Sequence, residues 1–353
     1  MRPAVPSRPQ PSRAVSHVAA VAVLAVCVWL APRGGSSANE MPPPGSRALA
    51  TVDPLPGDDA ACRAADIWMV STRGLPGICR LPESADLDVQ RHCDDGRGSR
   101  WERSDVATLL GEPERPLVIF LHGNRYEPAA ARRQGVLLAR HLAARCPCTG
   151  PVRTVIFSWP SAQDGLLLRD GRAKYQRAHA DGHYLGWLLG QVDPARAVAI
   201  VAYSFGALIT LEALEHLVEA ERAGRSDLAP WTARQGRTHL VFIAPAVRCD
   251  ALAPRGPYRD AFACIDRLTL IINSRDDALR FFPWLDPRVR ADALGFVAMP
   301  RAWVPPGVEF SATDGAGLIG RQHGLALYLA SPPLARRIST GALERLTDPA
   351  DRP

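Results

Sequence analysis

Ala197-Val198-Ala199-Ile200-Val201-Ala202-Tyr203-Ser204-Phe205-Gly206-Ala207-Leu208 is an apolar run that passes into a helical pattern with one serine at the junction. An unbroken apolar strand is the mark of a strand covered on both faces. Leu208, Ile209, Leu211, Leu214 and Leu217 then recur at helical spacing. The junction reads as a nucleophile elbow, a sharp strand-to-helix turn that lifts the serine hydroxyl above the sheet edge. Small residues two positions to either side let the backbones pass; here they are Ala202 and Gly206, so the pattern is Ala-x-Ser-x-Gly. Such a helix is expected to aim its N-terminal amides at Ser204, a place suited to holding an oxyanion.

Outward from the elbow, strands and helices alternate. Ile67–Ser71 and Leu117–Leu121 read as strands, and a helix runs from about Ala129 to Arg145. A strand at Val152–Ser158 follows, then helical spacing between Lys174 and Val192. Strands at His239–Ala244 and Leu268–Asn273 come next, and a closing helix starts over Gly324–Ala330. This order predicts an α/β fold with a mostly parallel sheet and helices on both faces. Residues 74–113 mix glycine, charge and cysteine without sustained periodicity and read as an irregular, disulfide-pinned extension. The expected division is a leader over 1–38, a flexible tether over 39–61, an extension with the first strand over 62–113, the core over 114–335 and a tail over 336–353.

The leader is basic and proline-rich, then apolar for thirteen residues from Val18 to Leu30, then small at Gly34-Gly35-Ser36-Ser37-Ala38. Thirteen residues fall short of the ~20 that span a bilayer and suit a signal-peptide core, with cleavage after Ala38; an uncleaved anchor is the alternative. Lipidation at Cys27 is disfavoured by the bulky Val26 before it. The protein is thus expected to be periplasmic or secreted, or tethered through the leader. Arg2, Arg8, Arg13 and Arg33 lie in the acid-free leader, so most of the formal charge of +6 leaves with it. A nearly neutral body argues against nucleic acid as a partner. Seven cysteines follow the leader: Cys62, Cys79, Cys93, Cys146, Cys148, Cys249 and Cys264. In an oxidising compartment at most three bridges form, with Cys249 and Cys264 the most plausible local pair. A zinc site is disfavoured, because no second close Cys or His pair accompanies Cys146-Pro147-Cys148.

A serine hydroxyl is a weak nucleophile at neutral pH and needs a base and an orienting acid. At an elbow of this kind the partners follow the serine in the order acid, then histidine. Strand Leu268–Asn273 ends in Ser274-Arg275-Asp276-Asp277, two carboxylates beyond a strand's carboxyl end. Asp276 is the favoured acid, with Asp277 the alternate; the pair also suits capping of a helix near Ala278. Of the histidines after Ser204, His216 is three turns along the elbow helix and His239 begins a strand. His323, in the loop Gly320-Arg321-Gln322-His323-Gly324, is the candidate base. The oxyanion amides are expected from Phe205 and from Asn124 or Arg125 in the loop His122-Gly123-Asn124-Arg125. His122 reads as a structural member of that loop, and Arg125 as solvated or as meeting an acidic substrate group.

Leu117–Arg125, Phe157-Ser158-Trp159-Pro160-Ser161, Ala202–Gly206, Asn273–Leu279 and the His323 loop together resemble an uncharacterised bacterial α/β-hydrolase family of the serine esterase and lipase type. The resemblance runs from Ile67 to Leu329, and Ile67–Arg73 is similar to that family's opening strand. It implies a Ser-Asp-His triad and favours Asp276, since the family's acid is followed by x-Ala-Leu. The cysteine-bearing segments and the Arg/Pro-rich insertions depart from the family, so lid and pocket do not carry over. The expected activity is hydrolysis of a small-molecule or lipid ester or thioester through an acyl-enzyme, with no metal or organic cofactor. Alternatives are acyl transfer to an envelope sugar or lipid, and a catalytically silent binding protein of the same fold. Phe281, Phe282, Trp284, Leu285 and Trp303 line an acyl pocket or cap, or belong to the core.

Overall fold

A computed structural model describes residues 65–94, 98–145, 152–165, 167–285 and 289–348. The leader, the tether and Cys27, Cys62, Cys146 and Cys148 lie outside the described residues. One nine-stranded sheet organises the rest, in the order β3-β2-β1-β5-β4-β6-β7-β8-β9. Its strands are β1 Asp66–Ser71, β2 Asp88–Asp94, β3 Ser99–Ser104, β4 Leu117–Leu121, β5 Arg153–Ser158, β6 Val198–Tyr203, β7 Thr238–Ile243, β8 Arg267–Ile272 and β9 Glu309–Asp314. All pairings from β1 through β5, β4, β6, β7 and β8 to β9 are parallel. The hairpin β2–β3 is antiparallel and extends the β1 edge.

Strands β4 to β8 are buried along their whole length, as their apolar sequences require. Helices α1 Val106–Leu110, α2 Pro128–Ala143, α3 Leu167–Gly190, α4 Phe205–Arg222, α5 Ala316–Ile319, α6 Leu325–Ala330 and α7 Pro332–Leu343 complete the chain, with 3₁₀ turns at Arg259–Cys264, Leu279–Trp284 and Arg301–Trp303. α3 and α4 pack on each other on one face, while α2, α6 and α7 pack together on the other. The close approach of α3 and α4 needs Gly182, where a Cβ would come within 2.3 Å of the Glu212 Cβ. Glu212 accepts hydrogen bonds from His179, His216 and Tyr258. Burial raises the affinity of its carboxyl for a proton, but the bonds from His179 and His216 outweigh this and hold it well below the usual carboxylate range.

Three parts differ from the sequence reading. Residues 75–87 are irregular as expected, but β2, β3 and α1 occupy most of 88–110. Their sequences, DVQRHCD and SRWERS, bury little besides Val89, so a solvated edge hairpin leaves no apolar alternation to read. β9, EFSATD, is half-exposed at the other edge and escaped notice for the same reason. Residues 336–343, expected as tail, are the last two thirds of α7, which buries Leu334, Ile338 and Ala342 against β6, β7 and β8.

Disulfide pinning is also corrected for the described cysteines, because Cys79, Cys93, Cys249 and Cys264 form no disulfide. The loop between Cys249 and Cys264 is held by backbone bonds instead, one within it and one to the connection from β8 to β9. The Cys249 amide donates to Asp292 O at 2.7 Å and the Tyr258 amide to Ala251 O at 3.0 Å, while Cys264 packs into the core.

The chain runs from β4 to β5 on one side and then places β6 on the other side of β4. The topological switch therefore lies between the carboxyl ends of β4 and β6, where sites of open α/β sheets form. Leu121 pairs with Ala202 across that junction. A Cβ on Gly206 would lie 2.5 Å from Leu121 O, so α4 can enter over β4 only with glycine there. Gly206→Ala is expected to lower stability by about 1–3 kcal/mol. Gly317→Ala, with nothing within 4 Å of the added methyl, is expected to change it by less than about 0.5 kcal/mol. Urea unfolding of the two variants measures the difference.

His239 on β7 donates from Nδ1 to Ala342 O at 3.2 Å and thereby ties α7 to the sheet. Burial pushes its imidazole down to about 4, against a usual 6.5. A folded value below the unfolded one gives stability that is present above pH ~6.5 and lost as pH falls towards 4, on the order of 3 kcal/mol for this displacement. His239→Asn keeps a donor but removes the titration. Urea midpoints at pH 7.5 and pH 4.5 are expected to separate less for this variant than for the wild type, and equal separations would refute the assignment.

Candidate active site

Ser204 sits between β6 and α4 at φ 55° and ψ −121°, a left-handed conformation rare for a residue with a side chain. The turn is over-determined. The Ser204 amide donates to Ile243 O at 3.0 Å, and Ser204 O accepts from the Ala207 and Ala246 amides at 3.1 and 3.0 Å. From the other side the β4 loop presses in, so that a Cβ on Gly123 would lie 2.9 Å from the Ser204 Cβ and 2.8 Å from the Tyr203 ring. Ala202 is fully buried and its methyl is accommodated. Such strain persists only where the surroundings enforce it.

The structure brings Ser204, His323 and Asp276 together. His323 Nδ1–H donates to Asp276 Oδ2 at 2.6 Å, which leaves Nε2 to accept from the Ser204 hydroxyl at 2.9 Å. Asp276 is fully buried, and its other oxygen accepts from the Ala278 and Leu279 amides at 2.9 and 3.1 Å. The capping and histidine-facing readings of this carboxylate therefore coexist. Asp277 points away and takes a bidentate ion pair from Arg321 at 2.9 and 2.7 Å. Adjacent carboxylates thus divide the work, one on the imidazole and one on the loop that carries it.

That loop is fixed at three further points. The Asp277 amide donates to Arg321 O at 3.1 Å, Asn273 Nδ2 donates to Gln322 O at 3.0 Å, and the Tyr203 hydroxyl donates to His323 O. Burial pushes the Tyr203 phenol far above its ordinary range, so it stays a donor. Tyr203 also lies against the position of Gly123, so one ring separates and spaces the β4 loop and the His323 loop.

His122 is buried and stacked between Tyr126 and Trp159, with ring centroids 5.0 and 5.9 Å away. Its Nδ1–H donates to Gly123 O at 2.9 Å, and Arg73 approaches Nε2 at 3.5 Å. Burial pushes its imidazole down to about 3, which keeps it neutral and structural. Arg73 also donates to Ser158 Oγ and to Tyr126 O, each at 2.8 Å, and so braces the loop from below. The Arg125 amide is already engaged, donating to Ser161 O at 2.7 Å in a left-handed turn at φ 61°. This removes Arg125 from the expected oxyanion donors. The Asn124 amide gives no hydrogen bond among the described residues, and the Phe205 amide is the first of the unpaired N–H groups that open α4.

Arg73, Tyr203 and Ser161 were missed as members of this framework. The available signal was a lone arginine directly after an apolar strand and a tyrosine at the variable position before the serine. Of the aromatic group after the acid, Phe282 is buried, Leu285 and Trp303 are partly buried, and Phe281 and Trp284 are exposed. Phe282 also lines a cavity of about 220 Å³ with Tyr175, His179, Tyr258 and Val289. Tyr175 links that cavity to the elbow, its ring centroid 6.0 Å from both Phe205 and Phe282. Among the described residues no three His, Cys, Asp or Glu side chains gather so as to hold a metal ion.

No curated protein matches the chain. Among solved structures it is similar to an esterase from Pyrobaculum calidifontis, 14% identical over 74% of this chain and 80% of that one, with a TM-score of 0.31. It is similar also to a bacterial heroin esterase, 14% identical over 80% and 83% with a TM-score of 0.32. Esterase B from Lactobacillus rhamnosis is 11% identical over 80% and 88%, with a TM-score of 0.34. The family described as alpha/beta hydrolase of unknown function (DUF900) matches residues 100–294, more than half of the chain. With that match laid over a parallel sheet whose switch point carries the Ser204 elbow, the chain belongs to the DUF900 alpha/beta hydrolases.

Proposed function

We propose that this hydrolase is a serine enzyme that cleaves a carboxylic ester or thioester through a covalent acyl-enzyme. The observation that carries the reading is the single imidazole of His323 bonded to Ser204 on one side and to buried Asp276 on the other. In the proposed cycle Ser204 Oγ attacks the acyl carbon while His323 Nε2 takes its proton. Asp276 orients the ring and balances the imidazolium charge. The developing oxyanion is held by the Phe205 and Asn124 amides. Collapse expels the alcohol or thiol with the proton from His323, and water repeats the sequence to free the acid and restore Ser204. The apolar leader from Val18 to Leu30 supports an exported protein.

Labelling with a fluorophosphonate, read by intact mass, tests the assignment. One adduct is expected on the wild type and none on Ser204→Ala or His323→Ala; an unreactive folded wild type would sink the proposal. With a reporter ester, Asp276→Asn is expected to lower kcat by about 10⁴-fold, because an amide favours the wrong imidazole tautomer. Asp277→Asn removes only a loop contact and is expected to cost less than about tenfold. Equal losses in the two variants would overturn the choice of Asp276.

A further inference from the structure

The large apolar side chains left exposed are unevenly placed. Leu137 is on α2, but Phe281, Trp284, Val289 and Val297 lie in the connection from β8 to β9, and Leu318 lies on α5 directly after β9. Backbone bonds from the Asn273 amide to Gly295 O and from the Gly295 amide to Pro245 O, both 2.8 Å, hold that connection at the carboxyl ends of β7 and β8. This is the edge that carries Ser204, His323 and Asp276.

The 3₁₀ turn Leu279–Trp284 explains how aromatic groups come to face outward so close to the site. Side chains three apart eclipse in such a turn. Leu279 and Phe282 form its inner side, both buried, and Phe281 and Trp284 form its outer side, 38% and 49% exposed. Asp276 caps the inner end of the turn, and Arg172 on α3 holds its outer end by donating to Trp284 O at 3.1 and 3.2 Å. Both ends of the turn are thus bonded to the body of the fold.

Cations neighbour this turn, Arg172 through its bond to Trp284 O and the others in or beside it in the chain. Arg172, Arg275, Arg280 and Arg290 are exposed, and the last three enter no ion pair among the described residues. Of the acids described between 274 and 297, Asp276 is buried on His323 and Asp277 is paired with Arg321, leaving Asp292. Aromatic rings flanked by long cationic side chains suit a boundary at which apolar chains lie beneath anionic headgroups. We propose that the ridge of Phe281 and Trp284 docks the protein on an anionic lipid surface and presents Ser204 to an ester carried by an amphiphile there. The choice of substrate rests on the serine-hydrolase reading; the docking does not.

The test uses the full chain with vesicles of equimolar phosphatidylglycerol and phosphatidylcholine carrying brominated acyl chains, which quench tryptophans that enter the bilayer. Wild-type emission is expected to be quenched more than that of Trp284→Phe, and Trp29 in the leader contributes equally to both. This difference is expected to shrink several-fold in pure phosphatidylcholine and in the Arg280→Glu/Arg290→Glu variant, with circular dichroism confirming that each variant is folded. Failure to bind vesicles, or quenching that is the same with and without Trp284, overturns the docking face. Dimerisation in lipid-free buffer that is abolished by Phe281→Ser overturns it in favour of a second copy of the chain. If Trp284-dependent quenching persists on a protein inert to fluorophosphonate, the docking face stands and the serine-hydrolase reading falls; the converse result separates them the other way.

Discussion

Everything at the site depends on how closely α4 is seated on β4. A helix can start directly after a strand only if its first turn passes over the neighbouring strand without a side chain in the way. Gly206 over Leu121 O is where this happens. The same geometry forces Ser204 to φ 55°, turns its hydroxyl away from the sheet and leaves the first amides of α4 facing the space beside it. Gly123 meets the elbow from the β4 side at similarly short range. Two close approaches of backbone therefore fix one hydroxyl and the amides around it before His323 and Asp276 are considered.

Two loops then converge on that point, and each is held by groups that do not face the serine hydroxyl. The His323 loop is tied down by Asn273, by the Asp277–Arg321 pair and by Tyr203. The β4 loop is braced by Arg73, His122 and Ser161. The proposed base needs close positioning, and surface ion pairs alone hold little. Here the pair works alongside backbone bonds and a buried phenol, so its geometry matters more than its modest energy.

The two ends of the sheet are specialised in opposite ways. At the amino ends of the strands, buried arginines satisfy carbonyls at the end of α1 and in the segment after it. Arg153 donates to Leu109 O and Gly111 O at 2.7 Å and to Asp66 at 2.6 Å, and Arg196 donates to Arg115 O and Leu110 O at 2.8 and 2.9 Å. A buried guanidinium is costly unless its donors find acceptors, and the end of α1 and the turn after it supply most of them. The carboxyl ends instead gather Ser204, His323 and Asp276 and leave aromatic and cationic side chains facing solvent.

Long apolar strands, the elbow pattern and the order serine, acid, histidine are written locally, so the sheet core and Ser204, Asp276 and His323 were legible in the chain itself. Periodicity declares an element only when one or both of its faces are buried, which is why β2, β3 and β9 gave no signal at the sheet edges. Tertiary structure alone decided what depends on which groups meet. It gave Asp276 to the imidazole and Asp277 to Arg321, engaged the Arg125 amide with Ser161 O, and held the loop between Cys249 and Cys264 by backbone bonds rather than a disulfide. Residues adjacent in sequence look equivalent until the backbone fixes their directions, and only packing at the carboxyl edge of the sheet fixes them.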